Sequence, residues 1–293
     1  MTSHTPDVSV LTPSYNYGRY ISDAVLSVLN QPSVRVQHVI QDGGSTDETL
    51  EALRGLQEDH GDSLVWRSES DRSQAEALNR ALRLAEGRWV GWLNADEFYL
   101  PNGLAHLVLE GDRTGADFVF ADVLFTDEAA RLQRLKTHHG FSSFVLRNYG
   151  TFMSTCGVLI RRSSLWPDPW DPDLRLLMDR DLFMKLATRG CKFVYAPYPV
   201  AVFREHDGRI SAAPSESFAG DYSTIESRYG RVPKAARTAA WGLHAGLKLL
   251  AGGYRREGRA RSLQGTKILP AGEYGAGLPM DRLLEVCYKA PST

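Results

Sequence analysis

The sequence has 293 residues, which suffices for one large domain or two modest ones around a substantial core. Hydrophobic residues make up 43%, charged residues 24%, and the formal net charge is -1. This balance is ordinary for a globular protein and excludes the basic field of a nucleic-acid-binding protein. Three widely spaced cysteines form neither a disulfide framework nor a metal cluster, and they indicate a reducing, cytoplasmic environment.

The hydropathy pattern contains no targeting or membrane-spanning signal. The first residues have neither the basic start nor the apolar core of a signal peptide. No run of about 18 apolar residues occurs in the chain, so we predict no transmembrane helix.

Short β-rich runs alternate with segments of helical periodicity through the first hundred residues. In chain order, strands and helices are predicted at 8–12, 20–29, 36–41, 48–57, 64–67, 75–85 and 89–93. Each strand feeds a polar or glycine-bearing turn. Such alternation predicts a parallel α/β sheet with right-handed crossovers and a nucleotide-type cleft at the strand ends.

The last of these strands ends abruptly in two acidic side chains, Asp96 and Glu97. Ligands of open α/β sheets bind at the carboxyl ends of strands, so both carboxylates are expected at the cleft. Carboxylates in such a place suit a hard divalent cation that in turn holds phosphates. Taken alone, the segment 94–97 is explained as well by a solvated acidic turn.

The glycine-rich loops of other nucleotide-binding classes do not occur in the sequence. There is no G-x-G-x-x-G after the first strand and no G-x-x-x-x-G-K-[ST], which excludes dinucleotide-dependent oxidoreductases and P-loop enzymes. Polar groups follow the ends of successive strands instead, at Ser14 and Tyr15, Asp42, 71–74 and Asp96. They supply hydrogen-bonding partners for a base and groups that hold a diphosphate, directly or through a metal.

Beyond Leu100 the periodicity is less regular. Strands are predicted near 118–121, 132–136, 157–160 and 200–203, and helices at 103–110 and from Asp179 onwards. His138 and His139 are tempting as a metal pair, but adjacent side chains point in different directions, and we do not expect a ligand site there. An acid in the first turn of a helix, such as Asp179, is commonly explained by the helix dipole.

The C-terminal region is predicted to be helical, with helices at 218–229 and 233–251. The second helix is apolar and is followed by the basic segment 254–261. It could rest on an anionic membrane surface, but we favour packing on its own domain or on a second subunit. The apolar pattern near Leu283 predicts that the last stretch packs back or swaps.

Four motifs at 8–16, 41–47, 71–75 and 92–97 occur in the order typical of one family. Together they resemble the nucleotide-sugar glycosyltransferases of family 2, over roughly residues 7 to 211. The resemblance implies an α/β GT-A fold, with a central mostly parallel sheet flanked by helices and a helical C-terminal extension. It further implies a donor-binding half at 1–100, an acceptor-binding and catalytic half at 101–216, and the extension at 217–293.

The resemblance also implies a donor site. Pro13, Ser14 and Tyr15 would line the nucleobase and ribose, and Asp42 would hydrogen-bond the base. On the residues alone, Asp42 is explained as well by turn formation. The remaining implied donor-binding residues, beside the ribose and the diphosphate, are Arg72, Gln74, Asn94 and Ala95.

A divalent metal, Mn2+ or Mg2+, is implied by the same resemblance. Asp96 matches the last carboxylate of the family's Asp-x-Asp signature, which binds the metal that bridges the donor phosphates. Asn94 occupies the first position of that signature, so one carboxylate is missing, and Glu97 is a further candidate ligand. The segment 204–211 resembles the family's Arg-x-His-x-x-x-x-Ser stretch, which makes His206 an implied ligand.

Asp179 matches the catalytic base in the family's helix-start motif, with Asp181 as a supporting residue. The implied reaction is inverting transfer of a hexose from a UDP- or dTDP-sugar to a hydroxyl of a carbohydrate or another acceptor. The base takes the proton of the attacking hydroxyl, and the metal stabilises the leaving diphosphate.

Two alternatives stay open. A sugar-phosphate nucleotidyltransferase would share the sheet and the metal carboxylate, but it should have a basic glycine-rich loop after its first strand. Here that loop is 14–18, with Arg19 as its only cation. A non-catalytic nucleotide-sugar-binding protein would keep the cleft without turnover. In each case we expect a cytoplasmic protein, either free or peripheral to the inner face of the membrane.

Overall fold

The computed structural model of the chain describes residues 5–209, 219–270 and 277–289. The strands are β1 (Val8–Ser14), β2 (Val36–Asp42), β3 (Leu64–Ser68), β4 (Trp89–Trp92), β5 (Phe98–Tyr99), β6 (Phe118–Thr126), β7 (Leu132–Lys136), β8 (Val158–Arg161) and β9 (Phe193–Arg204). The helices are α1 (Gly18–Leu29), α2 (Thr49–His60), α3 (Gln74–Leu82), α4 (Gly103–Thr114), α5 (Ser143–Asn148), α6 (Met178–Thr188), α7 (Ala219–Tyr229), α8 (Lys234–Leu250), α9 (Gly253–Ala260) and α10 (Met280–Cys287).

All nine of these strands join one sheet in the order β3-β2-β1-β4-β8-β6-β9-β5, with β7 paired to β6. The parallel order predicted for the first hundred residues is confirmed, because β3, β2, β1 and β4 all pair in parallel. In the second half only β6 and β9 are parallel. Strand β8 runs antiparallel to both β4 and β6, so the sheet as a whole is mixed rather than mostly parallel.

The first half of the sheet is buried on both faces. Every residue of β1 and β4 is buried, and α1 and α3 contribute to the apolar core around them. In α1 the buried residues Ile21, Ala24, Val25 and Val28 recur at the spacing of one helical face. Burying a large apolar side chain contributes about 1.5–3 kcal/mol, so this packing holds the strand ends in fixed positions.

Helix α7 is tied to the start of α6 by buried polar contacts. The carboxylate of Asp221 accepts hydrogen bonds from the backbone N–H groups of Leu176 and Leu177, at 2.7 and 2.9 Å. In α6, the fully buried Asp181 accepts a hydrogen bond from the Tyr229 hydroxyl at 2.8 Å and lies 3.0 Å from Arg228. The first C-terminal helix therefore fixes the loop and helix that carry Asp179.

The end of the chain packs back on its own domain. Leu283 and Cys287 of α10 are buried in a cluster with Leu132 and Leu135 of β7 and Leu263. This agrees with the first of the two arrangements expected for the apolar pattern near Leu283.

Two helical glycines provide a matched test of core packing. A Cβ at Gly111 in α4 would lie 2.5 Å from the Trp89 ring, whereas nothing lies within 4 Å of a Cβ at Gly55 in α2. We expect Gly111→Ala to lower the free energy of unfolding by about 1–3 kcal/mol through overpacking. Gly55→Ala should raise it by up to ~1 kcal/mol, because alanine is the better helix former. Urea unfolding measures both, and a stable Gly111→Ala protein would contradict the packing.

Candidate active site

A cavity of about 420 Å³ opens at the carboxyl ends of β1 and β4, beside the first turn of α6. Eight of the predicted site residues line it, namely Pro13, Ser14, Tyr15, Gln74, Asn94, Ala95, Asp96 and Asp179. These side chains come from four separate segments of the sequence, and the sheet brings them to one place. The size is typical of a small-molecule site.

One wall of the cavity is formed by the end of β1. The Tyr15 side chain is exposed and presents an aromatic surface to the opening. The Ser14 hydroxyl is buried and has no hydrogen-bond partner among the described residues. Buried polar groups are nearly always paired, so this hydroxyl is available to a bound molecule.

The structure corrects the expected position of Asp42. This residue is fully buried and does not line the cavity. Its carboxylate accepts hydrogen bonds from the backbone N–H groups of Gly44 and Ser45 and from the hydroxyls of Ser45 and Ser68. Asp42 therefore shapes the loop after β2, as the turn-forming interpretation expects.

Asp71 lines the cavity where Asp42 was expected. A Cβ at Gly43 would lie 2.9 Å from the Asp71 Oδ2 atom and 3.4 Å from the Tyr15 ring, so the glycine leaves room for both groups. Burial raises the pKa of Asp71 from its ordinary value. The sequence placed Asp71 among the polar groups that follow the third strand, but it was not singled out as a donor-binding residue.

Asn94 forms the centre of a small hydrogen-bond network on the cavity floor. Its Oδ1 atom accepts hydrogen bonds from Gln74 Nε2 at 2.7 Å and from Trp92 Nε1 at 3.1 Å. An amide at this position links α3 to the end of β4 without adding a third carboxyl group beside Asp96 and Glu97. Asn94, which replaces the first aspartate of the family's Asp-x-Asp signature, thus has a structural role.

Asp96 and His206 meet at the cavity, although 110 positions separate them in the sequence. The Nε2 atom of His206 lies 2.8 Å from Asp96 Oδ2, and both side chains are largely buried. The imidazole ring is held by the Tyr20 ring, with centroids 5.0 Å apart. Ser211, which completes the matched stretch, lies outside the described residues.

This pair fits the implied divalent cation in part. No group of three or more His, Cys, Asp or Glu side chains that could hold a metal occurs among the described residues. Two protein ligands are enough where substrate phosphates complete the coordination, as is common for Mg2+ and similar ions. One carboxylate with one imidazole suits Mn2+ better than Mg2+, which prefers oxygen ligands alone.

Glu97 does not reach the cavity. Its Oε2 atom accepts a hydrogen bond from the backbone N–H of Asn94 at 2.9 Å, which closes the turn after β4. Burial, with the nearby charge of Asp96, raises the pKa of Glu97 to about 8. Because Glu97 is engaged in this turn and does not line the cavity, we assign it to the turn.

The cation that was expected in the cavity, Arg72, does not line it. Arg72 is exposed and pairs with Glu76 on the outside of α3, at 3.0 Å. Arg175 and Arg209 line the cavity instead. Arg209 donates a hydrogen bond to the backbone carbonyl of His206, so proximity to His206 in the sequence was the available signal.

Asp179 lies in the first turn of α6 and faces the cavity. Its Oδ1 atom accepts a hydrogen bond from the backbone N–H of Arg180 at 2.6 Å. Burial raises the pKa of Asp179 to about 6, and the hydrogen bond and the positive charges of Lys136 and Arg180 oppose this shift. Asp181 points into the protein and ion-pairs with Lys185, which leaves Asp179 as the acid on the cavity side.

The floor and the far wall were not foreseen from the sequence. Their apolar and small residues are Tyr17, Ala77, Trp92, Thr155, Leu176, Met178, Phe203 and Gly208. Trp92 is held by an edge-to-face contact with Trp170. These contacts depend on tertiary packing, so no local pattern predicts them.

The structural role of Asp42 can be distinguished from the role of Asp71 by the effect of each substitution on the free energy of unfolding. Asp42→Ala removes the acceptor of four hydrogen bonds, two of them buried, and we expect it to lower the free energy of unfolding by about 2–4 kcal/mol. Asp71→Ala removes a partly exposed carboxylate at the cavity wall and should change stability by less than about 1 kcal/mol. Urea denaturation of both variants provides the measurement, and equal effects would contradict the assignment.

A family model described as "Glycosyl transferase family 2" matches residues 9–167, more than half of the chain. The succinoglycan biosynthesis protein ExoU of Rhizobium meliloti is 28% identical over 211 residues, covering 66% of this chain and 60% of that protein. The matches span between 38 and 60% of the length of the first four curated relatives.

Two solved structures show the same fold at low sequence identity. S. aureus TarS 1-349 in complex with UDP-GlcNAc has a TM-score of 0.58 at 16% identity, covering 83% of this chain and 73% of that one. The mannosyltransferase PcManGT from Pyrobaculum calidifontis, in complex with GDP-Man and Mn2+, has a TM-score of 0.50 at 20% identity, covering 86% and 81%. The chain belongs to glycosyltransferase family 2 and has the GT-A fold.

Proposed function

We propose that the protein is an inverting glycosyltransferase that moves a hexose from a UDP- or dTDP-sugar to an acceptor hydroxyl of a carbohydrate. The observation that carries the proposal is that one cavity is lined by both Asp179 and Asp96, and that His206 contacts Asp96 at 2.8 Å. A diphosphate needs positive charge, and an attacking hydroxyl needs a base. The complexes of TarS with UDP-GlcNAc and of PcManGT with GDP-Man support a nucleotide-sugar donor.

The donor is expected to lie along the wall formed by β1. The Tyr15 ring offers a flat surface for the base, and the Asp71 carboxylate can accept a hydrogen bond from the N3–H group that uracil and thymine share. Arg175 and Arg209 supply positive charge for the diphosphate. Asp42 contributes indirectly, by fixing the loop that carries Gly43.

Asp96 and His206 are the residues that would hold Mn2+ or Mg2+. A bound cation supplies charge neutralisation to the leaving nucleoside diphosphate. His206 binds a metal only as a neutral imidazole, and its position between Asp96 and the Tyr20 ring fixes which nitrogen faces the carboxylate. The binding of a metal by this pair is part of the proposal and needs direct measurement.

Asp179 is the proposed general base. An acceptor hydroxyl that attacks the anomeric carbon loses its proton, and a carboxylate within hydrogen-bond reach accepts it. Burial raises the pKa of Asp179 to about 6, so the group is mostly ionised at pH 7 and more basic than an exposed aspartate. A single displacement inverts the anomeric carbon, so no protein nucleophile is required.

The base assignment predicts a specific loss of turnover. Asp179→Asn should bind UDP as the unaltered protein does, yet lower kcat by a factor of about 10²–10⁴. In the unaltered enzyme, kcat/KM should fall about tenfold per pH unit below pH 6, because protonated Asp179 cannot accept a proton. Asp173→Asn, in the exposed loop before α6, is the matched control. Full turnover by Asp179→Asn would remove the assignment.

If Asp96 and His206 hold the metal, removing either side chain should weaken UDP binding that depends on Mn2+. Asp96→Ala and His206→Ala should each weaken Mn2+-dependent UDP binding by about 10- to 100-fold, the usual range for an altered metal site. Chelation should abolish transfer, and added Mn2+ should restore it. Asp207→Ala, next to His206 but exposed, is the control and should bind Mn2+ and UDP normally. Transfer that persists in a chelator would contradict a metal role. Calorimetric titration and a transfer assay provide the two measurements.

Neither alternative function gains support from the site. Arg19, in the first turn of α1, forms an ion pair with Glu128, so it is not poised as a phosphate-loop cation of a nucleotidyltransferase. A binding protein without turnover would have no need of an acid with a raised pKa in the cavity. Donor consumption by the purified protein distinguishes this second alternative from an enzyme.

A further inference from the structure

Helix α8 presents an apolar face to solvent. Leu249 and Leu250 are 66% and 86% exposed, Trp241 is 63% exposed and Leu243 is 41% exposed. We call these four residues the α8 apolar face. Small residues lie between them at helical spacing, namely Ala235, Ala239, Gly242 and Gly246. A 17-residue helix is about 25 Å long, so the face is extended rather than a single exposed side chain.

The opposite side of α8 fixes the helix to the protein. Ala240 is buried, and Leu247 packs against the main core. His244 lies 2.8 Å from His139 of the loop before α5, and its ring stacks on Tyr149. The apolar face is therefore held at a defined orientation relative to the sheet and is not a loosely attached segment.

Basic residues precede and follow the α8 apolar face in the chain. The segment 231–267 contains nine lysines and arginines and a single acidic residue, Glu257, although the whole chain has a formal net charge of -1. Five exposed cations, which we call the basic collar, are Arg231, Lys234, Arg237, Arg255 and Arg261. Lys248 pairs with Glu257 and Arg256 lies near Asp122, but no collar residue forms a salt bridge with any described residue.

The positive charge near this face indicates which kind of partner binds it. No helix in the described ranges is both long and apolar enough to cross a bilayer. In a symmetric dimer the same patch meets itself, so two copies of the collar would face each other and repel. A surface rich in anionic phosphate headgroups complements the collar, and its acyl boundary accepts the apolar face.

We propose that α8 docks the protein in the plane of a bilayer that contains anionic lipids. The α8 apolar face enters the boundary between headgroups and acyl chains, and the basic collar contacts the lipid phosphates. This proposal does not depend on the transfer reaction, because none of the docking residues lines the active-site cavity. It accounts for exposed leucines and a tryptophan that would otherwise be left in water.

Vesicle binding tests the proposal. The full chain is sedimented with vesicles of phosphatidylcholine alone and with an equal mixture of phosphatidylcholine and phosphatidylglycerol. We expect binding to the mixed vesicles only, and weaker binding as salt is raised. Lys234→Gln should weaken binding about fivefold, the contribution of one basic residue near an anionic surface, whereas Arg54→Gln on α2 should not.

The apolar contribution is tested with a matched pair of exposed leucine sites. The double variant Leu249→Ser and Leu250→Ser should weaken vesicle binding by at least about tenfold, since each buried leucine contributes strongly. Leu109→Ser on α4 removes an equally exposed leucine, 67% against 66% for Leu249, and should leave binding unchanged. All of these side chains are exposed, so the variants should fold, which circular dichroism confirms.

Three results would overturn the proposal. The first is that the unaltered protein fails to bind mixed vesicles. The second is that the double leucine variant binds as well as the Leu109→Ser control. The third is a dimer in sedimentation velocity that the double leucine variant abolishes, with no vesicle binding, because the face would then belong to a second copy.

Discussion

The parallel pairing of β1 with both β2 and β4 is the constraint on which the site depends. Ser14 at the end of β1 lies opposite Asp42 at the end of β2, and Leu11 lies opposite Trp92 at the end of β4. All three strands are buried, so a slip in register would expose apolar side chains and is strongly disfavoured. The loops that follow these strands therefore lie at the same edge of the sheet, where they form the cavity.

Acidic residues near this edge divide into two groups by environment. Asp42, Asp181 and Asp221 are buried and fully engaged by hydrogen bonds or ion pairs, so they hold loops and helices in place. Asp96 and Asp179, by contrast, face the cavity. The structural acids thus determine where the cavity-facing acids lie. Asp221 shows this clearly, because it fixes the backbone two and three residues before Asp179 from a separate helix.

Much of the fold could be predicted from the sequence because its first half is locally regular. Strands β1 to β4 and helices α1 to α4 follow from the spacing of apolar residues, and their ends place Ser14, Tyr15 and Asp96 at the cleft. The direction of a side chain within a loop does not follow from spacing. Asp42, Arg72 and Glu97 were therefore expected in the cavity, but in the structure each makes local contacts outside it.

The remaining differences arise from contacts between distant segments. Arg175 and Arg209 reach the cavity only because α6 and the end of β9 converge there. The long β9 pairs with both β6 and β5, a pairing that short apolar runs do not reveal. Helix α8 was expected to pack on the protein, and it does so on one side, while its other side remains apolar and exposed.

We propose that one cavity carries out a single displacement at the anomeric carbon, with Asp179 as the base. Proton NMR of the sugar released from an α-linked UDP-hexose, with Mn2+ present and water as the acceptor, tests it directly. An inverting displacement releases the β-anomer first, which later equilibrates, and this is the result we expect. First formation of the α-anomer, or no consumption of UDP- or dTDP-hexoses, would contradict it.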